Sequence, residues 1–494
     1  MRYNYHEIMK KTSEKTYHIV TFGCQMNKSD SERVAAVLDC KGYKAVNLPE
    51  TADLVVINSC SVRQTAINRI WGYLRKFEEI KKSREISYIL TGCILPEDKE
   101  KLGRNFDLVF DIKNLKELEN YVTNLRIVTN NTKTKSSDIN LRIVTNNTKT
   151  KSSDINVRIS TNNTETRGLD MMEMTKNNRV KKNDDEYFEI LPKYTNKYQA
   201  FVPIMTGCNN FCAYCAVPYT RGREESRTVE SILTEIRNLA ANGWVEITLL
   251  GQNVNSYNPT DQNSFSTLNP FQHNFAKLLW EINQIDGLNR IWFTAAHPKD
   301  MADEVIAALA LDKMANYLHL ALQSGSDEVL ARMNRRYTAD DYLEIIKKVR
   351  AVRPEISLGT DIIVGFPGET ERDFQRTLDL YQEVQFDISF HAMYSPRSGT
   401  AAAKLTDDVS IEEKKQRWHR LQALMEEITL KKNQKYVGQT LEVLVDKHGD
   451  GWNEGNSREM KRVRFTSNDN MTGKLVLVNI TRALEWLLEG DLIV

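Results

Sequence analysis

Neither sign of charge dominates this sequence. Lys and Arg number 67 against 66 Asp and Glu, a formal net charge of +1 over 494 residues. A protein-wide basic field for nucleic acid is thereby excluded, and any phosphate contact must come from a local patch. Long apolar runs are also missing, and none approaches the roughly 18–20 residues that cross a bilayer. The opening segment MRYNYHEIMKKTSEK has no apolar stretch, so no secretory signal is expected and a cytoplasmic location follows. Cysteine is scarce and odd in number, at seven, which excludes a small disulfide-stapled scaffold. In a long chain of a reducing compartment such thiols are more readily ligands or nucleophiles than disulfides. With 41% hydrophobic and 27% charged residues, wholesale disorder and a collagen-like fibre are excluded as well.

What is present is alternation. At roughly 150 residues per domain the length suggests about three domains. Residues 17–22, 53–58 and 87–92 read as strands, with helices at 29–41 and 62–82 between them. This predicts a doubly wound parallel α/β sheet over 15–123. A second alternation places strands at 200–205, 245–250, 290–295, 317–322, 357–364 and 388–394. Helices are predicted between them at 228–242, 274–285, 299–311, 338–352 and 370–384. Six such units predict a partial or complete (β/α) barrel over 194–430. The last segment, 434–494, reads as a small β-barrel entered through a helical stretch at 411–433. Between the first two domains NLRIVTNNTKTKSSDI occurs at 124–139 and 140–155, with a degenerate third copy at 156–170. Its Asn, Thr, Ser and Lys content predicts a poorly ordered linker over 124–186. The sequons at Asn130, Asn146 and Asn162 are read as chance.

The cysteines fall at telling places. Cys24, Cys60 and Cys93 each follow one of the first three strands, so parallel pairing brings them to one carboxyl edge, where open α/β sheets bind ligands. Three thiols gathered there suggest a metal or cluster site. Cys40 ends a helix and is read as structural. Cys208, Cys212 and Cys215 form C-x3-C-x2-C after the first barrel strand, at the face where barrel enzymes place their chemistry. Closely spaced thiolates suit an iron–sulfur cluster, and three of them leave one iron open. A zinc ion with a remote fourth ligand is the alternative.

The spacing, with an aromatic residue before the last Cys, resembles the radical S-adenosylmethionine enzymes. The domain order resembles the methylthiotransferases among them. The strings TFGCQMN, GCNNFCAYCAVPYTRGRE, GQNVNSY, HPKD, QSGS, MNRRYT, GFPGET and YSPRSGT resemble the tRNA-modifying, MiaB-type members across nearly the whole chain except the repeat. The β tail resembles that family's RNA-binding TRAM module.

The resemblance implies a 4Fe-4S cluster on Cys208, Cys212 and Cys215 that binds and reductively cleaves S-adenosylmethionine to a 5′-deoxyadenosyl radical. It implies an auxiliary 4Fe-4S cluster on Cys24, Cys60 and Cys93 carrying the inserted sulfur, and a second S-adenosylmethionine as methyl donor. The implied substrate is N6-isopentenyladenosine beside the anticodon of tRNA. An external donor such as flavodoxin or ferredoxin would supply electrons to a monomeric enzyme. Gly251, Gln252, Asn253, His297, Gln323 and Ser324 follow barrel strands and are candidate S-adenosylmethionine contacts. Arg221 and Arg223, just past the cysteine loop, are either phosphate contacts or a solvated pair. GFPGET lacks the Lys-Ser/Thr ending of a P-loop. In the tail, eight Lys and Arg meet nine Asp and Glu, yet Arg458, Lys461, Arg462 and Arg464 cluster within seven residues as a candidate RNA patch. The same chemistry on threonylcarbamoyl-adenosine or on a ribosomal-protein aspartate is an alternative. A zinc-stabilised, non-catalytic RNA-binding protein is an alternative of another class.

Overall fold

The computed structural model describes residues 14–61, 64–131 and 185–493. Its first sheet holds β1 (Thr16–Thr21), β2 (Lys44–Ala45), β3 (Leu54–Cys60), β4 (Ser87–Cys93) and β5 (Leu108–Val109) in the order β2-β1-β3-β4-β5. Every pairing is parallel. Helices α1 (Gln25–Cys40), α2 (Gln64–Ser83) and α3 (Pro96–Gly103) supply crossovers, and α4 (Leu115–Asn131) follows the last strand and packs back on the sheet. All seven residues of β3 are buried, as an apolar strand covered on both faces should be. Val56, Ile89, Val34 and Leu118 pack one face of the sheet, and Ile57, Leu90, Ile70 and Phe77 the other. The strand order reverses between β1 and β3, which opens a crevice at their carboxyl ends.

One boundary differs from expectation. The predicted linker begins at 124, but α4 continues to Asn131. Leu115, Leu118, Val122 and Leu125 form one helical stripe that packs on the sheet, and it carries the helix past the start of the first repeat. The rest of the repeat, with Asn146 and Asn162, lies outside the described residues.

After α5 (Asp185–Glu189) come β6 (Gln199–Pro203), β7 (Met205–Thr206), α6 (Val217–Thr220), β8 (Glu225–Ser226), α7 (Val229–Ala241) and β9 (Glu246–Leu250). Then follow α8 (Asn274–Asn283), β10 (Arg290–Phe293), α9 (Asp303–Ala308), β11 (Tyr317–His319), α10 (Asp327–Arg332) and α11 (Ala339–Val352). The domain closes with β12 (Ser357–Val364), α12 (Glu371–Val384), β13 (Ile388–Met393) and α13 (Ile411–Gln434). The six long strands form two parallel triplets, β10-β9-β6 and β11-β12-β13, joined by bridges Ile291–Met314 and Ala296–Leu320. This is a partial barrel, with β6 and β13 as its unpaired sides. The predicted helix at 299–311 shortens to α9 because His297 and Pro298 open a separate turn over Pro298–Asp300.

The tail strands β14 (Thr440–Gly449), β15 (Trp452–Ser457), β16 (Arg462–Thr466), β17 (Leu475–Ala483) and β18 (Leu488–Ile493) close a barrel in the order β14-β15-β16-β18-β17. Val443, Val463, Phe465 and Val478 fill it. Among the described residues no helix is long and apolar enough to cross a membrane.

Candidate active site

Two sets of thiols stand at the carboxyl edges of the two parallel sheets. In the first domain Cys60 and Cys93 are directly paired in register at the ends of β3 and β4, and Cys24 is the residue before α1. Gly92 makes this closeness possible. It has φ +109°, and a Cβ there would lie 2.2 Å from the Ser59 carbonyl. Asn27 and Asn58 lock the loops around the thiols, Asn27 Nδ2 donating to Asn58 Oδ1 at 3.0 Å and Asn58 Nδ2 to the Asn27 carbonyl at 2.7 Å. The Cys93 thiol is pushed well up by its hydrogen bond with Cys60 and by burial, while Arg221 pulls it back. Burial, then the neighbouring Cys93, pushes Cys24 up. Cys40 is exposed, at the far end of α1 from Cys24.

Arg221 is neither a phosphate contact nor a solvated residue, contrary to both expectations. It is 3% exposed and reaches out of the barrel domain into the first thiol site. Its Nε donates to Cys93 Sγ at 2.9 Å and its Nη2 pairs with Asp30 Oδ2 at 2.5 Å. Tyr187 Oη donates to the other oxygen of Asp30 at 2.6 Å. Arg223 lies over the Phe211 ring, 4.6 Å from its centroid.

The second set sits on the loop between β7 and α6. Gly207 takes φ +78°, and a Cβ there would meet the Arg223 carbonyl at 1.9 Å. Phe211 is left-handed at φ 50°, held by Asn334 Nδ2, which donates to the Phe211 carbonyl at 3.0 Å. The Asn210 amide donates to Cys208 Sγ at 3.5 Å, and Arg335 Nη1 to Cys212 Sγ at 3.3 Å. Burial, then the neighbouring Cys212, pushes the Cys215 thiol up to about 12. No carboxylate or imidazole among the described residues joins the three sulfurs. Among the described residues no three His, Cys, Asp or Glu side chains surround a single metal ion. A structural zinc site is closed by four protein ligands, whereas closely spaced thiolates suit an iron–sulfur cluster.

Around this loop runs a polar chain. Lys299 Nζ donates to Asn210 Oδ1 at 2.7 Å and pairs with Asp300 at 3.4 Å, and Asn253 Nδ2 donates to Asp300 Oδ2 at 2.7 Å. Thr206 Oγ1, Asn210 Nδ2, Gln252 Oε1 and Asn253 Oδ1 are buried there without a partner in the protein. Such orphaned groups are costly unless a bound molecule meets them. Three thiols, Cys208 and Cys212 buried and Cys215 half-buried, with unmet polar atoms beside them fit a sulfur-ligated cluster together with a polar cofactor.

Gln252 and Asn253, candidate contacts from the sequence, are among these unmet groups. Gly251 packs on Met205, 2.5 Å from where its Cβ would be. Gln323 is left-handed at φ 70°, four residues past the end of β11 and bridged to Ile362 of β12, its backbone N–H donating to the Asp361 carbonyl at 2.7 Å. Ser324 is a correction. It is fully buried, 3.4 Å from Thr377 Oγ1, and accepts the Ser326 amide, so it holds the turn instead of facing a cofactor. His297 caps its turn by accepting the Lys299 amide at Nδ1, and burial, Arg335 and Lys299 push its pKa down to about 2. It is a neutral structural group.

Sequence reasoning missed the barrel's inner wall. Tyr317 Oη lies 3.1 Å from His319 Nδ1, and His319 Nε2 lies 2.9 Å from Asp361 Oδ2. Beside them on β13 Phe390 is 58% exposed, its ring 5.8 Å from that of His319. No local sequence pattern marks this wall, because its members come from three strands.

The tail patch also needs correction. Lys461 is buried on Asp387, 2.8 Å away, and Arg458 pairs with Glu442 at 3.0 Å while donating to the Asp312 and Asn289 carbonyls. Both dock the tail on the barrel domain. Arg462 is held by Asp446 at 2.6 Å and by Glu454, which also takes Arg464 at 2.7 Å. The predicted alternation is there, with Val463 and Phe465 inside, but Arg462 is held by two carboxylates, whereas Arg464 only shares Glu454 and keeps 42% of its side chain exposed.

Residues 202–381 match the Radical SAM superfamily and 16–111 the Uncharacterized protein family UPF0004. The tRNA-2-methylthio-N(6)-dimethylallyladenosine synthase of Clostridium novyi is 38% identical over 98% of this chain and 98% of its own length. The enzyme of the same name from Caldicellulosiruptor saccharolyticus is 39% identical over 98% of this chain and 94% of its own. Among solved structures, the radical S-adenosylmethionine methyltransferase TsrM of Kitasatospora setae matches at a TM-score of 0.49 and 14% identity, over 79% of this chain and 74% of that one. A central radical SAM domain and near-full-length identity of this order place the chain in the tRNA-2-methylthio-N(6)-dimethylallyladenosine synthase family.

Proposed function

We propose that this protein methylthiolates tRNA, replacing the C2 hydrogen of N6-isopentenyladenosine beside the anticodon with a methylthio group. The observation that carries the reading is the pair of three-thiol sites, one in each of two domains, with unmet polar atoms beside the second and the barrel domain's Arg221 donating to Cys93 of the first. Cys208, Cys212 and Cys215 hold the 4Fe-4S cluster, and Cys24, Cys60 and Cys93 a second. When bound, clusters and S-adenosylmethionine supply the radical, sulfur and methyl chemistry. The chain's own residues position and enclose it. Gln252 and Asn253 offer their unmet oxygens to S-adenosylmethionine, Asn210 its amide, and Arg335 steadies Cys212. The enzyme works in the cytoplasm as a monomer, on electrons from a flavodoxin- or ferredoxin-type donor.

Iron and acid-labile sulfide analysis tests the two sites. The reconstituted protein should hold roughly eight of each, and the triple variant Cys24→Ala, Cys60→Ala, Cys93→Ala roughly four. Zinc without sulfide contradicts the reading.

The substrate base enters through the open side of the barrel and stacks on Phe390, next to the His319–Asp361 pair. Stacking of a base on an aromatic ring is worth about 1–3 kcal/mol. Phe390→Ala should therefore raise KM for tRNA by roughly five- to 150-fold, with S-adenosylmethionine cleavage unchanged. An unaltered KM removes Phe390 from the substrate site.

In the tail, two cations lie against the Trp452 ring, Lys447 at 5.2 Å from its centroid and Arg464 at 4.7 Å. This stack, not Lys461 or Arg458, is the proposed RNA contact. Lys447→Ala with Arg464→Ala should weaken tRNA binding and reduce its log–log salt slope by about 1–2. An unchanged slope contradicts this placement.

A further inference from the structure

We infer that Arg221, a residue of the barrel domain, is a positioning residue for the thiol site of the other domain: it orients Cys93 and tunes whatever group that thiol holds. The inference rests on the reading of Cys24, Cys60 and Cys93 as cluster ligands.

The geometry is asymmetric in an informative way. Asp30, wholly buried, already meets the terminal nitrogens of Arg221 at 2.5 and 3.4 Å, and Tyr187 completes that carboxylate. The ion pair alone suffices to staple the domains. Yet the remaining Nε–H points at sulfur, 2.9 Å away, with no backbone carbonyl as its acceptor. A neutral thiol is a weak acceptor, and spending a buried guanidinium N–H on one is a poor use of a donor. A sulfur carrying negative charge, as a metal-bound thiolate does, is a strong acceptor. The arrangement is therefore matched to the loaded site. Asp30 fixes the guanidinium plane, so the donor keeps its direction when the site fills.

Two consequences follow. A hydrogen bond and a cation at a ligating sulfur raise the potential of an iron–sulfur cluster. And the tuning group comes from the barrel domain, six residues after Cys215, so the first domain has its full electrostatic environment only when the two domains are docked.

The test uses the full chain with Cys208, Cys212 and Cys215 all replaced by Ala, so that only the first site can load. It is reconstituted anaerobically with iron and sulfide, alone and with Arg221→Lys, Arg221→Gln or Asp30→Asn. Iron per chain and the midpoint potential from an EPR-monitored titration are measured. The expected result is a loaded site whose potential moves to more negative values in Arg221→Lys and further in Arg221→Gln, but to more positive values in Asp30→Asn, which keeps the Nε–H and loses the neighbouring negative charge. Arg221→Lys retains the buried charge and guards against a variant that fails to fold. Equal potentials in all loaded variants overturn the inference, and so does a loss of iron with unchanged potential in what remains, which is the mark of a staple only. No iron in the parent overturns the two-cluster reading itself, and the inference with it.

Discussion

Cys208→Ala should bring S-adenosylmethionine cleavage down to the level seen without enzyme, while Cys60→Ala keeps cleavage and loses methylthiolation. The two thiols sit in different domains, one on the loop after β7 and one at the end of β3. Cys208 is 8% exposed beside unmet polar atoms of Asn210, Gln252 and Asn253, and a cofactor that needs that site has no substitute elsewhere. Cys60 belongs to the other domain's sheet edge, in register with Cys93 and hydrogen-bonded to it. Its loss should change cleavage by no more than about threefold, roughly 0.6 kcal/mol in barrier. Release of 5′-deoxyadenosine and formation of the methylthio nucleoside, measured in the same reaction, separate the two. Loss of cleavage in both variants contradicts the division of labour.

The second large effect belongs to Asp30. Side chains of Asp30 and Arg221 are 0% and 2% exposed, and the pair is the most deeply buried charge contact between the first domain and the barrel. Asp30→Ala leaves the Arg221 cation without a countercharge in the interior, which costs about 3–5 kcal/mol. Denaturant unfolding of the cluster-free protein should show this as an earlier transition. Adding Arg221→Met to Asp30→Ala should recover most of the loss, because it removes the stranded charge. A single Asp30→Ala that costs less than about 1 kcal/mol would show that water reaches the pair, contrary to its burial.

How far the sequence shows this depends on range. The continuous apolar run DLVVIN and its parallel partners carry Cys24, Cys60 and Cys93 to one edge by strand direction alone, and that inference needs no distant contact. The loop C-x3-C-x2-C is equally local. Arg221 was illegible because its partners lie 128 and 191 residues away. Lys461 looked free for the same reason, its Asp387 being 74 residues distant. Short elements escaped as well. Helix α10 has six residues and declares itself only by the Ser326 cap, and β2 and β5 have two residues each. At α4 composition misled, since the polar repeat hid the stripe ending at Leu125.

The central claim is the reaction, and nucleoside mass spectrometry tests it most directly. Reconstituted protein is incubated without oxygen with reductant, S-adenosylmethionine and tRNA bearing N6-isopentenyladenosine, and the tRNA is digested. The account predicts the 2-methylthio derivative of that nucleoside. Release of 5′-deoxyadenosine with the nucleoside unchanged would contradict it.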